Sequence, residues 1–207
     1  MIAEARLALF QISATLASMS LMIRRAEQSD APSIAELQQT TWRETYAGLL
    51  PTPVLDGLAL PRLYRTWRAE LIRQDGDLDH GIFVAETEDG KALGYATCGA
   101  ATGQATDILG DGEIQQIYVK ASHQGRGLGR ALMLACSRWL LMRGLFSGGL
   151  WVVKGNDKAR AFYESIGGEM AGDKRDSMQG WQIPVVGYTW SDLYELAGLE
   201  SEVPSWL

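Results

Sequence analysis

Apolar residues along the chain follow two rhythms. From Leu128 they recur at Leu132, Cys136, Trp139 and Leu140, close to the helical period, so a helix is predicted to run to about Arg143. The same spacing appears at Ile34, Leu37 and Thr41, after an Asp30 cap with Pro32 in the first turn. It returns at Leu63, Trp67, Leu71 and Ile72, in a helix predicted from Pro61 to about Gln74 and ended by Asp75-Gly76-Asp77. It returns again at Ala159, Phe162 and Ile166, between an Asn156 cap and Gly167-Gly168. A short helix over 53–60 and another within 192–199 complete the helical prediction.

Between these lie short runs of strand character. Residues 22–26 form the first, and residues 82–86 and 92–98 flank an Asp89-Gly90 hairpin signal. Residues 113–119, Glu-Ile-Gln-Gln-Ile-Tyr-Val, form the next, and an alternation of two places Glu113, Gln115, Ile117 and Val119 on one face. Gly148 to Val153 is apolar throughout, as in a buried strand. Residues 169–190 read as two strands joined by a polar loop, and Pro184 suggests that the last strand is an edge or carries a bulge. Residues 101–112 hold three glycines, lack periodicity and are expected to be a loop.

Residues 1–21 stand apart. Leu7-Ala8-Leu9-Phe10 and Leu16-Ala17 are apolar, but Glu4, Gln11, Ser13 and Thr15 dilute them below a secretory signal or a membrane span. The segment is expected to be an appended piece, either a short helix or unstructured, with a domain at 22–197 and a tail at 198–207.

Composition narrows the function. The 207 residues are 46% hydrophobic and 21% charged, which suits one well-cored domain. A net charge of −6 argues against nucleic acid as the main partner and is compatible with a cationic amine. Two separated cysteines, Cys98 and Cys136, and two histidines, His80 and His123 in polar contexts, form neither a disulfide framework nor a metal set. A reducing, cytoplasmic setting is expected, with no metal and no membrane partner.

The chemistry concentrates in Gln124-Gly125-Arg126-Gly127-Leu128-Gly129-Arg130, between a strand and a helix. Glycines there leave backbone N–H groups unobstructed, and the helix N-terminus adds its own free donors and partial positive charge, so the loop can seat a phosphate or pyrophosphate. Neither a Walker A loop nor a Gly-x-Gly-x-x-Gly dinucleotide fingerprint fits the spacing.

Gln-x-x-Gly-x-Gly does fit, and it resembles the acetyl-CoA pyrophosphate loop of the GCN5-related N-acetyltransferase (GNAT) family. Ile-Arg-Arg-Ala at 23–26 and Trp-Arg-Glu-Thr-Tyr-Ala-Gly-Leu-Leu-Pro at 42–51 resemble a common bacterial branch of that family. Trp151-Val152-Val153, Asn156 and Tyr163 resemble its second motif, so the likeness spans residues 22–190.

The resemblance implies an α/β (α+β) fold. Its mixed central sheet has about six to seven strands, flanked by about four helices and splayed at the CoA slot. It also implies acetyl transfer from acetyl-CoA to a primary amine by direct attack in a ternary complex, the acceptor being a small molecule or a protein or peptide amine. Ile117, Tyr118 and Val119 would pair with the pantetheine arm and supply an oxyanion donor. Gln124, Gly125, Arg126, Gly127, Leu128, Gly129 and Arg130 would hold the pyrophosphate, and Asn156 would contact the pantetheine.

In the same reading Tyr163 contacts the cofactor and protonates the leaving thiolate, since a phenol with a pKa of about 10 stays protonated at neutral pH. Glu113 is the expected base or water relay and Glu44 the second candidate. Trp42, Glu44 and Tyr46 would face the acceptor. Many members of the family are homodimers. A non-catalytic acyl-CoA-binding regulatory module is the alternative; intact Glu113, Asn156 and Tyr163 favour the enzyme.

Overall fold

The computed structural model describes residues 12–16, 19–76, 80–102 and 109–199. Its centre is an eight-stranded sheet in the order β1-β2-β3-β4-β5-β6-β8-β7. The strands are β1 (Ile12–Leu16), β2 (Met19–Arg25), β3 (His80–Thr87), β4 (Ala92–Ala100), β5 (Gly112–Val119), β6 (Gly148–Val153), β7 (Glu169–Met178) and β8 (Trp181–Trp190). The helices are α1 (Ala31–Tyr46), α2 (Thr52–Asp56), α3 (Leu60–Gly76), α4 (Leu128–Leu141), α5 (Asp157–Ser165) and α6 (Leu193–Leu196).

Helices cover both faces. On one, Ile34, Leu37, Leu63, Trp67 and Leu71 of α1 and α3 close over Ile82, Val84 and Tyr95. On the other, Leu128, Leu132, Cys136, Trp139 and Leu140 of α4 close over Phe83, Ala85, Cys98, Ile114 and Val119. The second set is the helical stripe read from the sequence, and Trp139 and Cys136 at its centre are fully buried. Helices α5 and α6 join that second face through Phe162, Tyr163 and Leu193.

Several sequence expectations change. Residues expected to be helical or unstructured at the N-terminus are extended where they are described: β1, Ile12–Leu16, precedes the expected first strand and pairs antiparallel with Met19–Ile23, and that expected strand, β2, begins at Met19 rather than Met22. Residues 1–11, 17–18, 77–79, 103–108 and 200–207, with half of the expected 101–112 loop and most of the C-terminal tail, lie outside the described residues. The short helix stops at Asp56, four residues earlier than expected. His80 is not in a polar loop; it opens β3, buried, with Nε2 3.6 Å from Glu70.

Pro184 does not mark an edge strand, because β8 lies between β6 and β7. It stands where β8 runs past the end of β6. There its carbonyl accepts from Lys154 N–H at 2.9 Å, and the bond its missing N–H would return is replaced by Arg160 Nη1 donating to the Lys154 carbonyl at 3.4 Å.

Two irregularities of β5 position the site. First, the pairing of β4 with β5 slips: Thr97 faces Gln116 while Cys98 faces Ile114, which leaves Gln115 as the extra residue of a β-bulge. The expected alternation is broken there. Ile114, Ile117 and Val119 all face α4, whereas Gln116 and Tyr118 turn to α1. Glu113, one residue from Ile114, therefore shares the α1 face and not the face of Ile117 and Val119. Secondly, β5 pairs with its parallel neighbour β6 only at Gly112–Gly148 and Glu113–Gly149; beyond that the strands part and the sheet is split.

Candidate active site

The split opens into a cleft of about 720 Å³. Its floor is β5 from Ile114 to Val119 and β6 from Leu150 to Val152, and one end reaches the glycine loop. The loop is fixed from both sides. Gln124 Nε2 donates to the Val119 carbonyl at 2.9 Å, which ties the loop to the strand before it. Gly127 caps α4 with φ +81°, a left-handed conformation that a side chain disfavours. A Cβ on Gly129 would stand 3.2 Å from Phe162 Cζ, so the absent side chain lets α5 approach the start of α4. The free N–H groups of the first turn of α4 therefore sit at the cleft, where an anion is favoured.

Of the pyrophosphate set, Gln124, Gly125, Gly127, Gly129 and Arg130 line the cleft. Arg126 does not; it is exposed, and its charge helps to lower the pKa of His123, whose first cause is desolvation. The Leu128 side chain is buried in the core, so only its backbone serves the loop. Ile117, Tyr118 and Val119 all line the cleft. Asn156 caps α5 by accepting from Ala159 N–H at 3.2 Å and also lines the cleft, so its capping and cleft positions coexist.

At the far end, residues from the two faces of the sheet meet across the gap. Tyr163 reaches in from α5, 6% exposed, its ring at the edge of Trp190 and tilted against Tyr188. Burial raises its pKa first and the nearby Tyr46 adds to the shift, so the phenol is held protonated. From the other face come Tyr46 and Tyr118, their hydroxyls 3.0 Å apart. Burial raises both pKa values, and Tyr118 is raised further by Tyr46, Tyr95 and Tyr163. Trp42 does not line the cleft. It backs this pair, edge-on to Tyr46 with centroids 5.4 Å apart and 6.0 Å from the Tyr118 ring.

The carboxylates divide. Glu44 lines the cleft, exposed. Glu113 is not among the lining residues; its pKa is raised by burial, lowered in part by Lys174 and raised again by Asp176. Lys174 itself rests on the Trp151 ring, 4.2 Å from the centroid. Trp151, Leu49, Lys158 and Phe162 are cleft residues that the sequence reading did not single out as functional. The signal for Phe162 was its place beside Tyr163, and for Trp151 its outward position in an otherwise apolar strand. Among the described residues no group of three or more His, Cys, Asp or Glu could hold a metal ion, and no helix is long and apolar enough to cross a membrane.

The family model described as Acetyltransferase (GNAT) family matches residues 33–167. An uncharacterized N-acetyltransferase of Bacillus subtilis, YuaI, is 29% identical over 177 residues, which span 86% of this chain and 96% of that protein. Among solved structures, the PaiA N-acetyltransferase of Thermoplasma acidophilum in complex with coenzyme A has a TM-score of 0.62 at 20% identity, covering 83% of this chain and all of that one. YncA, a putative acetyltransferase of Salmonella typhimurium with its cofactor acetyl-CoA, has a TM-score of 0.60 at 20% identity, covering 90% of this chain and 99% of that one.

Proposed function

The chain belongs to the acetyltransferase (GNAT) family, and from that premise we propose that it moves the acetyl group of acetyl-CoA to a primary amine by direct attack in a ternary complex. The observation that carries this reading is the continuity of the cleft. One opening joins the N–H groups at the start of α4 to the buried phenol of Tyr163, along a strand edge left unpaired by the split sheet. That is the layout a pyrophosphate, an extended amide-bearing arm and a thioester require in sequence.

In this reading the backbone of Ile117–Val119 holds the pantetheine and turns an N–H toward the thioester oxygen as it becomes an oxyanion. Asn156 uses its carbonyl oxygen for the helix cap, leaving its amide N–H groups for the arm. Arg130 lines the pyrophosphate end, and Arg126 adds charge outside it. Tyr163 donates its proton to the departing thiolate. Glu113 is poorly placed for direct proton transfer, because its carboxyl lies beside Lys174 and Asp176, outside the cleft lining. Glu44, toward the acceptor end, and Asp157, in the first turn of α5, are the carboxylates that line it.

The acceptor end carries Tyr46, Tyr118, Trp151 and Glu44, and Trp151 already hosts an ammonium. Aromatic faces with a carboxylate suit a cationic or amphipathic amine, either a small molecule or a peptide. The catalytic domain is taken as residues 22–197, with strand β1 extending its sheet edge. A cytoplasmic location belongs to the same reading.

The test is a panel of polyamines, amino acids, aminoglycosides and peptide N-termini, with free CoA thiol as the readout and CoA binding measured beside it. Thiol released in step with an acetylated amine supports the proposal. CoA binding without transfer to any amine would instead make the chain an acyl-CoA-binding module.

A further inference from the structure

Helix α5 has nine residues, too few to keep its shape or its place without packing. It carries Tyr163, whose hydroxyl has no hydrogen-bond partner among the described residues. The position of that phenol in the cleft is therefore set by the neighbours of its ring and by the seat of its helix.

Strand β8 provides the seat. Tyr188 stands opposite Leu150 of the cleft floor in the pairing of β8 with β6, and it is fully buried. Its ring lies tilted against the Tyr163 ring, with centroids 5.9 Å apart. Its hydroxyl accepts from Arg160 Nε at 3.3 Å and donates to Glu164 Oε1 at 2.5 Å. Arg160 and Glu164 are four residues apart, so they are neighbours along one stripe of α5. The turn between them is the one that holds Tyr163. Two residues further along β8, Trp190 meets the Tyr163 ring edge-on, and its Nε1 donates to the Ile166 carbonyl at 3.0 Å. The two β8 side chains thus grip the helix on either side of Tyr163.

The hydroxyl of Tyr188 gives its proton to one side and a lone pair to the other. Sliding or turning α5 breaks at least one of these bonds. Proton transfer is sensitive to such movement, since a misplacement of about 1 Å can remove most of a rate. We propose that Tyr188, through Arg160 and Glu164, is a positioning residue for acetyl transfer, fixing the turn of α5 that sets the reach of Tyr163 toward the CoA sulfur. The inference rests on the acetyl-transfer reading above. Tyr188 is not a lining residue of the cleft, so it acts on the reaction only through Tyr163.

The experiment measures the single-turnover rate at saturating acetyl-CoA, and the KM for acetyl-CoA, with the best amine of the panel. The proteins are the native chain, Tyr188→Phe, Tyr163→Phe, their double variant, Glu164→Ala and Glu164→Gln. Tyr188→Phe keeps the buried ring and deletes the hydroxyl alone. Glu164→Gln keeps an acceptor for that hydroxyl and Glu164→Ala does not. Tyr188→Phe and Glu164→Ala are each expected to lower the rate by about five-fold or more, with the KM for acetyl-CoA within about two-fold of native. Glu164→Gln should stay within about two-fold of native. On the Tyr163→Phe background, Tyr188→Phe should change the rate by less than about two-fold, because the hydroxyl being positioned is gone.

A merely structural tie would lower the rate by the same factor on both backgrounds. Losses that multiply in the double variant, a native rate in Tyr188→Phe, or a Glu164→Gln as slow as Glu164→Ala would each overturn the positioning role. Glu164 is exposed, so its two variants decide the matter should Tyr188→Phe fail to fold. A native protein that acetylates no amine ends the acetyl-transfer reading and the positioning role with it. An active native protein slowed by Tyr163→Phe, but not by Tyr188→Phe or Glu164→Ala, loses the positioning role alone.

Discussion

The side-chain amide of Gln124 donates to the carbonyl of Val119 at 2.9 Å, joining the first residue of the glycine loop to the last residue of β5. The strand and the glycine loop that line the cleft are thereby held in one register.

Replacing Gln124 with alanine removes that tie. A partly buried hydrogen bond of this kind contributes about 1 kcal/mol, so the affinity for CoA is expected to weaken by roughly five-fold. Titration calorimetry with CoA checks it, and because the bond is made without CoA as well, the thermal midpoint is expected to fall by about 2–4 °C.

Gly127 holds φ +81° where α4 begins. Alanine there is expected to cost about 1 kcal/mol of stability, a fall in Tm of about 2–4 °C for a chain of this size. CoA affinity should fall as well, because the N–H groups of the loop change direction. Differential scanning calorimetry with and without CoA measures both.

Tyr163→Phe is expected to lower the rate of acetyl transfer by about ten-fold or more while leaving CoA binding unchanged. The phenol is held protonated by burial and by Tyr46, so native activity should not decline on the alkaline side through loss of this donor until well above its ordinary range. A pH–rate profile of the native protein beside the variant tests both statements.

Glu113 has a raised pKa, chiefly from burial. The folded state therefore favours the protonated form, and the stability that form contributes is present below the ordinary carboxylate value and lost as pH rises through the raised one. Glu113→Gln cannot ionise. It is expected to be close to native in stability at low pH and more stable than native at neutral pH, with the difference growing across the carboxylate range and flat above it. Urea midpoints from about pH 4 to 8 follow the change. Because the carboxyl is not a lining group, the variant is expected to keep its transfer rate within about three-fold of native.

Much of this fold was legible because local rules and tertiary packing agree. The stripe Leu128, Leu132, Cys136, Trp139 and Leu140 meets the helical period and is the buried face of α4, and Asn156 caps the helix that its position announced. The bulge was not read, since counting by two from Glu113 assumes an unbroken ladder; the adjacent polar pair Gln115-Gln116 inside an apolar strand was the available sign. The β7–β8 connection was read as a polar loop, yet Gln179 and Gly180 both have positive φ in a two-residue turn. Gln179 Nε2 reaches the Val54 carbonyl at 3.3 Å, a tertiary tie between α2 and the hairpin that no local pattern encodes. The meeting of Tyr46 with Tyr118 likewise depends on the α1 register over the sheet, which periodicity does not reach.

The parting of β5 from β6 also bears on solubility. A sheet that opens in its middle has two inward-facing rows of peptide groups that its own strands do not pair, in addition to the outer edges at β1 and β7. Exposed strand edges are templates for unwanted association. A cofactor arm laid into the gap would act as a reversible cover for that internal edge. The unliganded protein should accordingly be the form that aggregates on concentration or heating, and the CoA supply of its surroundings would set how long a pool of the protein remains dispersed.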